Sequence, residues 1–287
     1  MREVRVVWTL LVASLVATTV TYARLSASQL YDVSGNGLRG GLSRAVVELN
    51  FPDALIAIAV LGVLAPRLPR PCRLVAGVAA VLCAVAVVPG VVKQSNLDAK
   101  WINLVPALGV GLAFALTFRA RPLPSPRRAR GDRVRIALAA VLVLLAAPWI
   151  AADLGFYLDG VPLLGWLFQT GKLAHFHNPL HHAVHHGVHH GLQGLMFVLA
   201  ALLLSRLPNR ISLYLALVVA YGAANMANDA WLEQVAERGW SSHSLPSVLG
   251  FSANWLWLAV LVSTPFIWAL WFSPDGPRRH KARALPA

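Results

Sequence analysis

Eight apolar stretches, separated by short polar or basic clusters, set the rhythm of this chain. They run at about Val6 to Tyr22, Pro52 to Ala65, Leu74 to Val92, Asn103 to Phe118, Ile136 to Ala152, Gly191 to Leu207, Ile211 to Met226 and Phe251 to Phe272. A hydrocarbon layer about 30 Å thick takes about 20 apolar residues of helix to cross. It offers no hydrogen-bond partner to open strands or loops, so helices are the expected spanning element. The pattern predicts an all-α integral membrane protein, a polytopic bundle of about eight transmembrane helices. The second and sixth stretches are short and need a turn from their flanks. Arg2 and Arg5, with "TYARLSA" behind the first stretch, also fit a signal peptide. The run is long for a signal and seven further stretches follow it, so it is read as a retained span.

Composition supports this class. Of 287 residues, 57% are hydrophobic and 13% charged, against roughly a quarter charged in soluble proteins. The net charge of +13 would suggest nucleic acid if it were spread evenly, but it is not. Eighteen of the 25 Lys and Arg fall at Arg2 and Arg5, at Arg67 to Arg73, at Arg119 to Arg135, at Arg206 and Arg210, and at Arg278 to Arg283. These are the start, alternate loops and the tail. Positive charge stays cytoplasmic during insertion, so both termini are expected in the cytoplasm of a multi-pass plasma-membrane protein. The expected partner is the lipid bilayer, not nucleic acid. The stretch "RARPLPSPRRARGDR", 119–133, reads as a basic cytoplasmic linker between a first four-helix half, 1–118, and a second, 134–287. The predominance of Arg over Lys, with abundant Ala, Gly, Val and Leu, has the look of a GC-rich bacterial genome.

With that topology the remaining polar residues gather on one side. Glu48, Asn50, Asp53, Asp98, Asn103, Asp153, Asp159, Asn225, Asn228, Asp229, Glu233 and His243 all fall at the extracytoplasmic ends. Helix capping accounts for such residues singly, Asp53 above all. Their gathering beside a histidine-rich segment points instead to a shared pocket. The middles of the expected spans are almost free of ionisable groups, which disfavours an ion-coupled transporter.

The histidine segment is "HFHNPLHHAVHHGVHHGLQG", 175–194. With Asn178 as cap and Pro179 in the first turn, a helix is expected to run unbroken to about Leu207. His181, His185 and His189 then form one i, i+4 row, and His182, His186 and His190 the adjacent one. Ala183, Gly187, Gly191 and Gly194 form a small-residue stripe behind them, suited to close helix packing. Imidazole binds Zn, Cu and Fe well, and two histidines at i, i+4 reach one ion from one face. The expected ligands of a divalent transition metal (Zn, Fe or Cu) are His177, His181, His182, His185, His186, His189 and His190. Other elements must complete the coordination; Asp153 and Asp229 are the candidates for ligand or general base. Glu48, Asp159, His175 and His243 lie on the same expected side. A pH-sensitive histidine surface without specific metal is the plainer alternative, and it is the preferred reading for His243.

The overlapping His182-x-x-His185-His186 and His186-x-x-His189-His190 resemble the HxxHH boxes of membrane fatty-acid hydroxylases and desaturases. That resemblance implies a two-iron site. It covers nine residues, and it departs from those families, whose boxes are spread over separate segments on the cytoplasmic side. No GxSxG elbow, Gly-rich phosphate loop or CxxC is present. Cys72 and Cys83 stand about 16 Å apart along one expected helix, beyond disulfide reach. Two function classes stay open from the sequence. One is a metal-dependent enzyme acting on a lipid or lipid-linked substrate. The other is a metal-ion binding, transport or sensing protein, or a structural subunit, without covalent chemistry.

Overall fold

The structure is a computed structural model that describes residues 1–26, 30, 34–93, 96–123, 128, 131–156, 161–162, 173–174, 181–182, 189–208, 210–236 and 239–272, with only the backbone at 173–174 and 181–182. Its regular elements are helices, apart from one antiparallel pair of two-residue strands, β1 (Leu173–Ala174) and β2 (His181–His182), among the described residues.

The helices are α1 (Arg2–Arg24), α2 (Gly37–Glu48), α3 (Ala54–Leu64), α4 (Arg70–Ala84), α5 (Leu104–Thr117), α6 (Asp132–Leu145), α7 (Ala147–Asp153), α8 (His190–Leu204), α9 (Ser212–Trp231) and α10 (Trp255–Ile267). Each expected apolar stretch coincides with one of them or with a bent pair. Length is more restrictive than identity. Four helical rods, Arg2–Arg24, Gly37–Arg67, Arg70–Val87 and Trp255–Phe272, are long and apolar enough to cross a membrane. The pair α6 and α7, bent by 58°, makes a fifth if counted as one span. Helices α5 and α8 are apolar but shorter, while α9 is long and carries Asn225, Asn228 and Asp229.

Burial is inverted relative to a water-soluble bundle. On α4 only Ala76, Ala79 and Cys83 are buried, a stripe at i, i+3, i+7, while Leu74, Val78 and Val81 face outward. Helix α6 buries nothing and exposes Ile136, Val141 and Leu144. On α1 the outward row is Val12, Val16 and Val20, whereas Thr18 and Thr21 point inward. Exposed apolar faces of this extent would be an aggregation liability in water, and they suit hydrocarbon. Helix α3, apolar all round, is correspondingly the central element. It buries Ala54, Ile56, Ala57, Ala59, Val60, Leu61, Val63 and Leu64.

Close helix packing depends on small residues. Gly194 of α8 and Gly222 of α9 face each other so tightly that a Cβ on either would stand 2.5 or 2.6 Å from the other's carbonyl oxygen. Of the expected small-residue stripe, Gly194 makes this crossing, Gly191 packs against Trp149 and Asp229, and Ala183 and Gly187 lie outside the described residues. Buried polar pairs tie further helices together. Trp8 donates to Thr117 Oγ1 at 3.0 Å, and Asn103 donates to Asn50 Oδ1 and to the Val91 carbonyl at 3.0 and 2.9 Å.

Two sequence expectations change. The histidine helix does not start at Pro179: His181 and His182 are extended, and His189 is also extended (φ −92°, ψ 144°) as the residue capping α8. Among the described residues, His181, His182 and His189 therefore do not lie on one continuous helix with His190. Histidine is a middling helix former and glycine costs about 1 kcal/mol, so such a segment relies on packing, and the buried apolar run begins only at Leu192. The second correction concerns the helix interiors. Glu48, Asn50 and Asp53 are buried at a break within the Gly37–Arg67 rod, where Leu49–Asp53 forms a π turn and Phe51 leaves helical geometry (φ −149°, ψ 113°). Asp53 caps nothing: its backbone is helical and its side chain makes no capping hydrogen bond.

Candidate metal centre

Helices α8 and α9 pack side by side. At the histidine end of α8, His189 and His190 meet the last turn of α9 and the π turn Leu232–Ala236 that follows it. The spacing Asp229-x-x-x-Glu233 turns both carboxyls toward the same neighbour. His189 Nδ1 lies 2.9 Å from Glu233 Oε1 and 3.8 Å from Asp229 Oδ2. One donor atom from each of these three buried residues falls within 4.8 Å of the others, so the group could hold a metal ion. Donor atoms around a tetrahedral ion at 2.0–2.1 Å lie about 3.3 Å apart, and the two measured separations bracket that value.

A second layer holds these side chains in place. The Asp229 Oδ2 accepts the Gly191 backbone N–H at 2.9 Å, so a carboxylate from α9 satisfies a free donor in the first turn of α8 and faces the positive end of its dipole. The other oxygen, Oδ1, is 3.2 Å from His190 Nδ1, whose Nε2 is 2.9 Å from Asn228 Oδ1. Trp149 of α7, 2% exposed, donates its indole N–H to Glu233 Oε2 at 2.9 Å. Gly191 is required by space: a Cβ there would stand 2.6 Å from the Trp149 ring and 2.7 Å from Asp229 Oδ2. Burial pushes the Glu233 carboxyl above its usual range, the nearby His189 opposes this, and Asp229 reinforces it.

Of the residues expected from sequence, His189 and Asp229 are brought together in this group, and His190 stands beside it as a partner of Asp229. Asp153 ends α7 and is buried; Thr18 donates to it at 3.4 Å, and His189, Glu48 and Arg44 are within its electrostatic reach. It neighbours the group without belonging to it. His181 and His182 sit in β2, with their side chains outside the described set, and His175, His177, His185, His186 and Asp159 lie outside the described residues. His243 is exposed, and its backbone carbonyl accepts from Trp231 at 2.9 Å, in line with the surface reading.

Glu233 was not among the expected ligands, although its i, i+4 spacing from Asp229 was readable. Trp149, which was not among the expected site residues, is the donor that positions Glu233. Nothing local in the sequence marked it.

Beyond the group, buried acids continue along the bundle. Glu48 accepts from Ser14 at 2.5 Å through Oε1, while its Oε2 and Asp53 Oδ1 have no hydrogen-bond partner among the described residues. One turn into α8, Gln193 donates to the Phe51 carbonyl at 3.1 Å. Phe51 in turn lines an apolar cavity of about 130 Å³ with Leu55, Phe197, Tyr214, Tyr221 and Trp257. No protein-family model, curated protein or solved structure matches the chain, so its site is read from its own chemistry.

Proposed function

We propose that this is a multi-pass plasma-membrane metalloprotein in which His189, Asp229 and Glu233 hold one divalent transition metal at the extracytoplasmic rim. In this reading it acts as a metal-dependent enzyme on a lipid or lipid-linked substrate. The observation that carries the proposal is the convergence of one imidazole and two carboxylates, all buried, from two packed helices. Three protein donors leave a coordination position for water or substrate, as in catalytic rather than purely structural sites. A metal there supplies Lewis acidity and a bound water of lowered pKa. The chain's own contributions are the Trp149 and Gly191 donors that orient the carboxylates, and Asp153 as a nearby buried carboxyl suited to proton transfer. The apolar cavity lined by Phe51, whose carbonyl accepts from Gln193, offers room for part of an alkyl or isoprenoid chain.

The topology belongs to the same proposal: eight passes, cytoplasmic termini and the bilayer as partner. It is supported by the Arg206 cluster at the other end of α8, where Arg206 pairs with Glu3 and Asp132. The test is metal analysis of the detergent-purified chain, followed by mass spectrometry of phospholipid and isoprenyl-diphosphate substrates incubated with it. One tightly held metal per chain and a product lost with chelator and in H189A, D229N and E233Q are expected. Metal content unchanged in all three variants rejects the site.

A second reading, metal handling without covalent chemistry, is favoured by the helix break at Leu49–Asp53. There Glu48 and Asp53 place buried oxygens with no hydrogen-bond partner among the described residues, and broken helices with buried ionisable groups mark ion sites in transporters. Metal uptake into proteoliposomes, abolished in D53N and with no lipid product formed, would select it over the enzyme.

A further inference from the structure

The other end of α8 carries a feature that the metal centre does not use. Between α1, α6 and the last turns of α8 lies an open crevice of about 1000 Å³. Five arginines line it, Arg2, Arg128, Arg133, Arg135 and Arg206, against two acids, Glu3 and Asp132. The balance is +3 (five minus two). Arg206 pairs with both acids, at 2.7 Å to Glu3 and 3.0 Å to Asp132, and Arg135 reaches Asp132 at 3.5 Å. These four groups form a largely neutralised floor. Arg2, Arg128 and Arg133 are exposed at the rim, with no ion-pair partner among the described residues. The remaining wall is apolar: Val6 and Leu10 of α1, and Ile136 and Ala139 of α6. Val6, Leu10 and Ile136 belong to the outward apolar faces of their helices.

We infer that this crevice is a binding site for an anionic phospholipid, with its phosphate among Arg2, Arg128 and Arg133 and an acyl chain lying between α1 and α6. The ligand must present negative charge and a hydrocarbon chain together, and must arrive from the side on which the exposed valines and leucines of these helices lie. A lipid of the leaflet does both. Arginine matches phosphate oxygens with paired N–H donors, and basic pockets between membrane helices are known to take acidic headgroups. The site is independent of the proposed metal centre, because His190 and Arg206 are sixteen residues apart, about 24 Å along a helical path.

The test uses the full chain in neutral detergent, following its thermal unfolding as phosphatidylglycerol, phosphatidylcholine or inorganic phosphate is added. Phosphatidylglycerol is expected to raise the unfolding temperature saturably, and phosphatidylcholine is not. R128Q combined with R133Q is expected to weaken the apparent affinity about 30-fold, at about 1 kcal/mol per arginine near a charged headgroup. The R128K/R133K pair, which keeps the charge, is expected to retain most of it. Both positions are exposed, and an unchanged elution profile and unfolding temperature without lipid show that each variant is folded. Equal effects of the two lipids, or no change in the glutamine pair, overturn the proposal. Stabilisation by inorganic phosphate alone, equal to that by phosphatidylglycerol, also overturns it and assigns a free-anion site.

Discussion

A methyl group added at Gly191 tests the geometry of the metal centre most directly. Its Cβ would lie 2.6 Å from two carbons of the Trp149 ring and 2.7 Å from Asp229 Oδ2. Ordinary contact begins near 3.4 Å, so Asp229 Oδ2 must retreat by about 0.7 Å (3.4 minus 2.7) and the indole by about 0.8 Å (3.4 minus 2.6). Trp149 is 2% exposed and its N–H is committed to Glu233, so it has little room to yield. A ligand moves with each group: Asp229 directly, and Glu233 through Trp149. Metal sites tolerate departures of about 0.2 Å in ligand distance, several-fold less than the displacement required. Loss of an orienting contact around a metal typically costs 10- to 100-fold in affinity, and overpacking of this kind costs about 1–3 kcal/mol in stability. G191A is therefore expected to fold, to lose about 1–3 kcal/mol and to bind zinc at least tenfold more weakly in competition with a chromophoric chelator. Zinc affinity and stability equal to those of the parent chain would refute the argument, because the carboxylate would then not be positioned by that contact.

Other expectations follow from the same contacts. W149F keeps the ring packing and removes the donor to Glu233 Oε2, which should cost about 1–3 kcal/mol in chemical denaturation and weaken metal binding; no change in either would mean Glu233 is held by other groups. H190A should lower metal affinity without abolishing it, since His190 touches Asp229 and lies outside the triad, and a complete loss of metal on titration would make it a ligand. The pH response has a definite sign. Burial raises the Glu233 carboxyl above its usual 4.5, so the folded apoprotein holds a proton that the unfolded chain has released. Apoprotein stability should therefore fall as pH rises from 4.5 through the raised value. E233Q should remove that slope and bound metal should reverse it, and unfolding curves collected across this range check both. Because protons and metal compete for the same oxygens, metal affinity should also drop on acidification.

Much of the fold was legible in the residues. Each apolar stretch is helical because a hydrophobic run bounded by arginine or proline clusters is a local signal, set by composition and length over about 20 residues. The inward-facing Thr18 and Thr21 and the outward Val12, Val16 and Val20 follow from the same periodicity. The histidine segment was misjudged because its helix was inferred from a cap and the absence of a breaker. Packing decides such a segment, and the buried part of α8 starts later. Asp53 was misjudged for the converse reason. Adjacent to Phe51-Pro52 it looks like a helix start, yet the rod continues on both sides of the π turn and leaves it inside the bundle.

The sequence alone determined that this chain is a set of apolar helices separated by short polar and basic clusters. Those properties depend on neighbours in the chain and on the cost of placing charge in hydrocarbon. Only the tertiary structure brought His189 beside Asp229 and Glu233. Gly191 and Asp229 are 38 positions apart, and their hydrogen bond, like the meeting of His189 with Glu233, exists because glycines let α8 and α9 approach to backbone contact. Such a distance across two helices is a property of packing, to which no local pattern is sensitive.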